Sequence, residues 1–323
     1  MQSFGDIKIS RSIAGVGLNG ISVCALSFKT TDTAWESASL AAPVVVSGIG
    51  NLPTFYIDKR SYEDGVWTVE CLDRCAFLDM EVSGLTASSG KYLMSGVLTK
   101  LGSDCGCTIS APAGLPTYIE QEKIDGKTYQ SILQSISEAY CGFWCSHYTN
   151  TIEFVGYSQA QSGETITDHS KVHNNGEFEY SSVNVSDGKN SQMFGQNPPT
   201  LNISNDFIDT SNSTLYNGII GYTFYGWSVA KAIIPSANMP LLGGTLTMQG
   251  TSYRITKVSA YTSGDKLVVS AGGDIPQYGE INRRGLLQQR LDNAVSTDKT
   301  YGTIKPTNDK DLGFVATPNT TGA

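Results

Sequence analysis

Residues 126–157 read GKTYQSILQSISEAYCGFWCSHYTNTIEFVGY, and the middle of the chain is built around them. Thr128 stands where a helix N-cap belongs, and Tyr129, Ile132, Leu133, Ile136 and Tyr140 recur at three- and four-residue spacing on one face. Gly142 is expected to stop this helix, because a glycine just past the last periodic residue takes the left-handed turn without a Cβ clash. Phe143 and Cys145 then alternate with Trp144 and Ser146. A polar corner follows at Tyr148-Thr149-Asn150, and Ile152, Phe154 and Val155 return as a second strand. A helix and a hairpin bury one apolar face against the other, each large side chain contributing about 1.5–3 kcal/mol. Nothing in the stretch suggests chemistry; it suggests scaffolding.

Around it lies a chain of 323 residues, long enough for about two or three domains. With 40% hydrophobic but only 16% charged residues, 34 glycines and 16 tyrosines, it is turn-rich and β-leaning, not disordered. The net charge of −8 argues against a protein that grips nucleic acid by its phosphates. The N-terminus, MQSFGDIKISRS, lacks the apolar core of a signal peptide, and the densest apolar run, residues 41–46, is far too short to span a bilayer. The expectation is synthesis in the cytoplasm with no membrane span, so the glycosylation-type triplets at Asn184, Asn202 and Asn212 carry no meaning. Cys71/Cys75, Cys105/Cys107 and Cys141/Cys145 form pairs, with Cys24 alone. Their C-x3-C and C-x-C spacings do not match zinc knuckles, which points to buried reduced thiols. Cys105-Gly106-Cys107 sits in an expected loop and is the pair most open to oxidation.

Before this stretch the pattern is strands: Ile7 and Ile9, then Ile21, Val23, Ala25 and Phe28, then residues 44–46 and 55–57. Glu63-Asp64-Gly65 turns the chain into residues 66–73. Such closely spaced short strands favour a barrel or a sandwich. Residues 74–80 curl into a helical turn, and residues 92–101 read as a short helix with Tyr92, Val97, Leu98 and Leu101 inward. Residues 105–115 are a loop or short strand, and residues 166–175 carry the turn chemistry of a boundary. Residues 178–185 alternate again, whereas 186–217 are rich in Ser, Asn, Asp and Gly and read as long loops around a strand at 200–203. Strands are expected at 219–225, 229–234, 244–249, 252–261 and 266–271. The last three form a meander, with turns at Gln249-Gly250 and Ser263-Gly264-Asp265, and so a second small barrel. Residues 281–294 read as a short amphipathic helix, followed by a polar tail without periodicity.

Together these stretches resemble the hub proteins of bacteriophage tails and of phage-tail-like bacteriocins. The likeness lies in the strand and polar turn GVWTVECLDR (65–74), the helix at 92–101, the helix and hairpin at 126–154, and the meander at 242–273 followed by Gln277-Tyr278-Gly279. It spans residues 55–278 and rests on pattern and order. It implies a mainly β chain with an α+β insertion: a tube-type β-barrel at 1–86, a peripheral helix-hairpin module at 87–172, a second barrel at 173–275, and a C-terminal helix and extended tail at 276–323. Two barrels per chain, side by side, let a homotrimer imitate a sixfold ring. The resemblance implies that this ring adapts a sixfold tail tube to a threefold tip or spike and lines the central channel. It implies a tail tube or distal tail protein above, a spike or tip protein below, and a baseplate wedge or tape-measure protein alongside. It also implies assembly in the host cytoplasm into a virion or tailocin tail. The chain ends at Ala323 without room for the large C-terminal domain that many relatives from long-tailed phages carry, which favours a compact hub. An acidic, weakly charged lumen is expected to let DNA pass without holding it.

The resulting reading is a structural protein, not an enzyme, with no catalytic residues, no cofactor and no metal. Its alternatives are a tail-associated cell-wall peptidase and a receptor-binding or fibre-adaptor protein. His169 and His173 have the i, i+4 spacing of a zinc pair, but the glutamate of H-E-x-x-H is absent and Asn174-Asn175-Gly176 reads as a turn. Asp73 with Arg74, or Glu120 with Asp125, are better read as solvated or turn-capping groups than as acid–base pairs. No G-x-S-x-G elbow is present, and Ser47-Gly48-Ile49-Gly50 and Gly243-Gly244 lack the Lys-Ser/Thr of a phosphate loop. Tyr216, Tyr222, Tyr225, Tyr253 and Tyr261 suit strand packing or a subunit interface better than a sugar-binding face.

Overall fold

The computed structural model of the protein describes residues 5–13, 20–40, 42–159, 161–263, 266–275, 304–306 and 314–316. The chain is mainly β. Its strands from both ends of residues 1–275 meet in one nine-stranded sheet, in the order Val172–Phe178, Phe224–Ile234, Lys266–Gly273, Lys257–Ser263, Gly5–Ser12, Ala25–Thr30, Val66–Leu72, Phe55–Glu63 and Pro43–Val44. Every neighbouring pair is antiparallel. Period-two alternation sets the faces. Ile9 and Arg11, Leu26 and Phe28, Val69 and Cys71, and Val258 and Ala260 point into the core, whereas Lys8, Ser10, Glu70, Lys257, Ser259 and Tyr261 do not. The Phe55–Glu63 and Val66–Leu72 hairpin turns through Asp64 and Gly65, both at positive φ (49° and 81°), as a tight right-twisted hairpin requires.

The middle of the chain forms its own helices and a small sheet within the same compact unit. Helix α1 is Met94–Cys105, helix α2 is Tyr129–Ala139, and a short helix α3 is Ser213–Asn217. Thr128 caps α2, its hydroxyl accepting the Ser131 N–H at 3.2 Å, and Tyr129, Ile132, Leu133 and Ile136 are fully buried. The strands Gly142–Cys145 and Thr151–Gly156 pair antiparallel, and Thr108–Ser110 adds to the second in parallel. The left-handed residue after α2 is Cys141 (φ 50°) and not Gly142. Gly142 is needed for a different reason: a Cβ there would stand 2.5 Å from the Val155 carbonyl oxygen. Trp144 is the pivot of the unit. It is fully buried, its indole N–H donates to the Leu133 carbonyl at 2.8 Å, its ring meets Phe154 edge-on, and its backbone exchanges hydrogen bonds with Gly20 and Ser22.

Several elements differ from the sequence expectation. Residues 252–261 are not one strand of a meander. Thr251–Arg254 pairs with Thr245–Met248, which itself runs parallel to Gly163–Ile166 in a small sheet, and only Lys257–Ser263 enters the large one. The break falls at buried Ile255, whose N–H and C=O are taken by Gly244 and Gly243. In place of strands at 219–225 and 229–234 there is one unbroken strand, Phe224–Ile234, beginning after Gly221 takes a positive φ of 74°. Residues 178–185 split between the end of Val172–Phe178 and the strand Ser182–Ser186. The Ser/Asn-rich stretch also holds Ser191–Gly195, paired with Ser182–Ser186, and α3, capped by the Asn212 side chain. In the tail, Ile304–Pro306 pairs with Phe314–Ala316. The helix expected at 281–294, the triplet Gln277-Tyr278-Gly279 and the Gly264-Asp265 turn lie outside the described residues.

Gly142→Ala is expected to lower the unfolding free energy by about 1–3 kcal/mol by forcing the two hairpin strands apart. Chemical denaturation read by tryptophan fluorescence checks this.

Candidate functional site

Among the described residues, Cys145, His147 and Glu153 bring three potential metal donors together, their ligand atoms within 4.8 Å of one another. The convergence follows from the hairpin. Cys145 and His147 are two apart and face the same way, and Glu153 stands directly opposite Cys145. The imidazole, however, is already engaged at both nitrogens. Nδ1 lies 2.7 Å from Glu153 Oε1, and Nε2 accepts the Leu242 backbone N–H at 3.0 Å, which makes Nδ1–H the donor to the carboxylate. The Cys145 sulfur sits 3.7 and 3.5 Å from the two ring nitrogens. No lone pair of the ring is left for an ion. Burial holds the His147 pKa below its ordinary value despite Glu153, so the ring is neutral. The arrangement is a polar clamp that fixes the hairpin to the segment at Leu242.

A second buried group ties other segments together. Asp73 is completely buried. Its Oδ2 accepts the Cys24 N–H and its Oδ1 the Cys75 N–H, both at 3.1 Å. It thereby joins the start of Ala25–Thr30 to the end of Val66–Leu72 and caps a turn of 3-10 helix at Arg74–Phe77. Burial pushes its carboxyl up to about 7 against the pull of those two N–H groups and of Arg11. Glu138, largely buried beside Asn205, is likewise raised by burial to about 7.

The remaining sequence candidates do not assemble into a reactive centre. His173 lies in the strand Val172–Phe178 and His169 before it, so the helical spacing that would put them on one face is not realised. Asp73 caps a turn but is buried rather than solvated, and Arg74 stacks over the Tyr56 ring at 3.8 Å instead of pairing with it. Glu120 pairs with Lys91 at 3.0 Å, while Asp125 accepts from Tyr92 and Gln121, both at 2.7 Å. The tyrosines share no single face. Tyr216 is buried and donates to the Ala139 carbonyl, Tyr222 meets Phe224 edge-on, and Tyr253 lies tilted against Trp227; Tyr225 and Tyr261 are exposed. His147 was not singled out from the sequence. A histidine two residues beyond Cys145 on an apolar strand, opposite a glutamate, was the available signal.

What stays open is the outer face of the large sheet. A hollow of about 370 Å³ lies on it, lined among others by Lys8, Ser10, Ser27, Asp58, Glu70 and Tyr261. Lys29, Lys59, Lys257 and Lys266 fall on the same face by strand register, Lys257 being paired with Asp274 at 2.6 Å.

No family model matches the sequence, and no curated protein does. Similar solved structures do exist. One is the 43 kDa tail protein of prophage MuSo2 from Shewanella oneidensis, 14% identical with a TM-score of 0.48, covering 85% of this chain and 97% of that one. Another is the tail protein from Neisseria meningitidis MC58, 12% identical with a TM-score of 0.49, covering 84% and 92%. A third is the E. coli c3393 protein, a type VI secretion system component described as structurally similar to T4 bacteriophage tail proteins, 11% identical with a TM-score of 0.46, covering 87% and 75%.

Asp73→Asn is expected to cost about 1–3 kcal/mol, because its amide places a donor against one of the two backbone N–H groups. Asp73 and Glu138 bind protons more readily folded than unfolded, so both stabilise at low pH and lose that contribution as pH rises from about 4 through about 7. His147 acts oppositely, its contribution falling as pH drops below its ordinary value of 6.5. Urea unfolding at several pH values should therefore show the carboxyl slope reduced in Asp73→Asn. An unchanged slope would contradict the assignment. The fold is similar to that of a prophage tail protein, a bacterial tail protein and a type VI secretion system component that resembles T4 tail proteins.

Proposed function

We propose that this chain is a structural hub of a phage or phage-like tail, three copies closing into a ring around a central channel. The observation that carries the reading is the large sheet. One face is packed on the core and the other is open, and its outermost strands, Val172–Phe178 and Pro43–Val44, have no further strand partner among the described residues. Unpaired strand edges are either blocked or used, and edge pairing between copies is the direct way for an open sheet to become a closed wall. The strands of 1–86 and those of 173–275 stand side by side in that sheet, which supports two tube-type halves per chain. On the same proposal 87–172 is the peripheral module and 276–323 the C-terminal tail. In this reading the ring adapts a sixfold tube to a threefold tip or spike. It contacts a tube or distal tail protein above, a spike or tip protein below and a wedge or tape-measure protein beside it, and is assembled in the host cytoplasm into the tail.

A channel wall made from the open face is not the acidic one expected from the net charge. Lys8, Lys29, Lys59, Lys257 and Lys266 stand there with Asp58, Glu63 and Glu70, and Lys257 is paired with Asp274. Passing DNA would meet serine hydroxyls and a near balance of lysines and carboxylates.

Native mass spectrometry of the purified chain should give three times the 34.6 kDa protomer, and averaged particle images should show a threefold ring with an open centre. A species that stays a single copy at micromolar concentration, or a particle without threefold symmetry, overturns the reading.

A further inference from the structure

Helix α1 ends in a turn that carries a cysteine on each side. Cys105 is its last residue, Gly106 takes the left-handed conformation (φ 63°, ψ 39°), and the Cys107 N–H returns to the Gly102 carbonyl at 2.8 Å. A bend of this kind sets the Cα atoms of the flanking residues about 5–6 Å apart, inside the span a disulfide bridges. The turn is held tightly, since a Cβ on Gly102 would lie 2.7 Å from the Cys107 carbonyl oxygen. Cys107 is half-buried and borders a groove of about 730 Å³ with Leu98, Ile109 and Asn150, whereas Cys105 lies behind it. The other cysteines, Cys24, Cys71, Cys75, Cys141 and Cys145, are all buried.

We propose that Cys105 and Cys107 form a dithiol site that reacts with small-molecule disulfides through the groove and closes to an intrachain disulfide. Two neighbours favour a thiolate there. The Cys107 thiol hydrogen-bonds to Cys105 and, with the Arg74 guanidinium nearby, lowers the Cys105 pKa, while Cys107 itself is raised. Arg74 is fixed over Tyr56, its Nη2 3.5 Å from where a Gly106 Cβ would sit. This cation offsets the helix C-terminus, which by itself disfavours an anion. Elsewhere burial raises the thiols: Cys24, Cys71 and Cys141 go up to about 12, and Cys75 and Cys145 rise as well.

The chemistry balances with the small disulfide as oxidant. Cys107, the accessible thiol, passes its proton to the Cys105 thiolate and attacks one sulfur of the small disulfide. The S–S bond breaks, a mixed disulfide forms on Cys107 and one small thiolate leaves. Cys105 then gives up the proton to that thiolate and attacks the Cys107 sulfur, expelling the second small thiolate. The two cysteines are oxidised and the small disulfide is reduced to one thiol and one thiolate. The product pins the end of α1 to the start of Thr108–Ser110.

The test uses the full chain under native conditions with oxidised glutathione, then N-ethylmaleimide and tryptic mass spectrometry. Cleavage after Lys100 and Lys123 gives one peptide holding Cys105 and Cys107 and no other cysteine. The expected product is that peptide lighter by two hydrogen atoms, with the remaining cysteines alkylated only after unfolding. Cys105→Ser should stop at a glutathione adduct on Cys107, and Cys107→Ser should form no adduct. A wild-type peptide that stays reduced, a persistent wild-type adduct, or oxidation at a different pair overturns the proposal, as does an adduct in Cys107→Ser.

Discussion

Everything in the large sheet depends on one strand finding partners from opposite ends of the chain. Lys8, Ile9 and Ser10 face Ser27, Leu26 and Ala25 on one side and Tyr261, Ala260 and Ser259 on the other. Without Gly5–Ser12 the strands before residue 87 and those after residue 172 would be two separate sheets with four exposed edges. Backbone hydrogen bonding at the centre of a buried sheet is obligatory, since an unpaired amide there costs as much as a lost bond. The same strand sends Arg11 into the core, where it donates to the Asn51 carbonyl at 2.9 Å; Asn51 in turn donates to the Met239 carbonyl at 3.3 Å. A single strand thus organises contacts to both flanks of the chain.

The buried polar groups extend that tie to the middle unit. Asp73 reaches backward to Cys24, and His147 reaches forward to the backbone of Leu242. Each satisfies N–H groups of irregular segments that no sheet ladder could reach. The Ile21–Trp144 bridge and the paired hydrogen bonds around it add a direct backbone link between the N-terminal segment and the hairpin. These contacts are long-range and specific, so they define one arrangement rather than merely adding burial. They also place titratable groups in the core, which is why stability is expected to vary with pH through groups that do no chemistry.

Local signals were legible wherever the physics is local. Thr128 and the apolar stripe of α2, the Asp64-Gly65 turn, and the strands at 66–72 and 266–273 follow from capping, turn chemistry and alternation. The edge strand Val172–Phe178 was hidden because VHNNGEF carries turn residues, and pairing with Phe224–Ile234 overrides their preference. Ser191–Gly195 was hidden by a polar composition for the same reason. The division of 252–261 between two sheets is set at Ile255 by hydrogen bonds to Gly243 and Gly244, which no window of sequence reveals. The clamp at His147 needed the hairpin register and the approach of Leu242, and only the first is readable from the residues alone.

The central position of Gly5–Ser12 also has a consequence for biosynthesis. It leaves the ribosome well before one of its neighbours, Lys257–Ser263, which is among the last strands of the sheet to be made. Throughout translation the nascent chain therefore holds a half-finished sheet whose middle strand offers a bare edge to the cytosol. Such an edge invites pairing with the wrong polypeptide, and crowded polysomes making many identical copies would heighten the hazard. Slow, uncrowded synthesis and a chaperone able to cover that edge are what this topology asks of the cell that makes it.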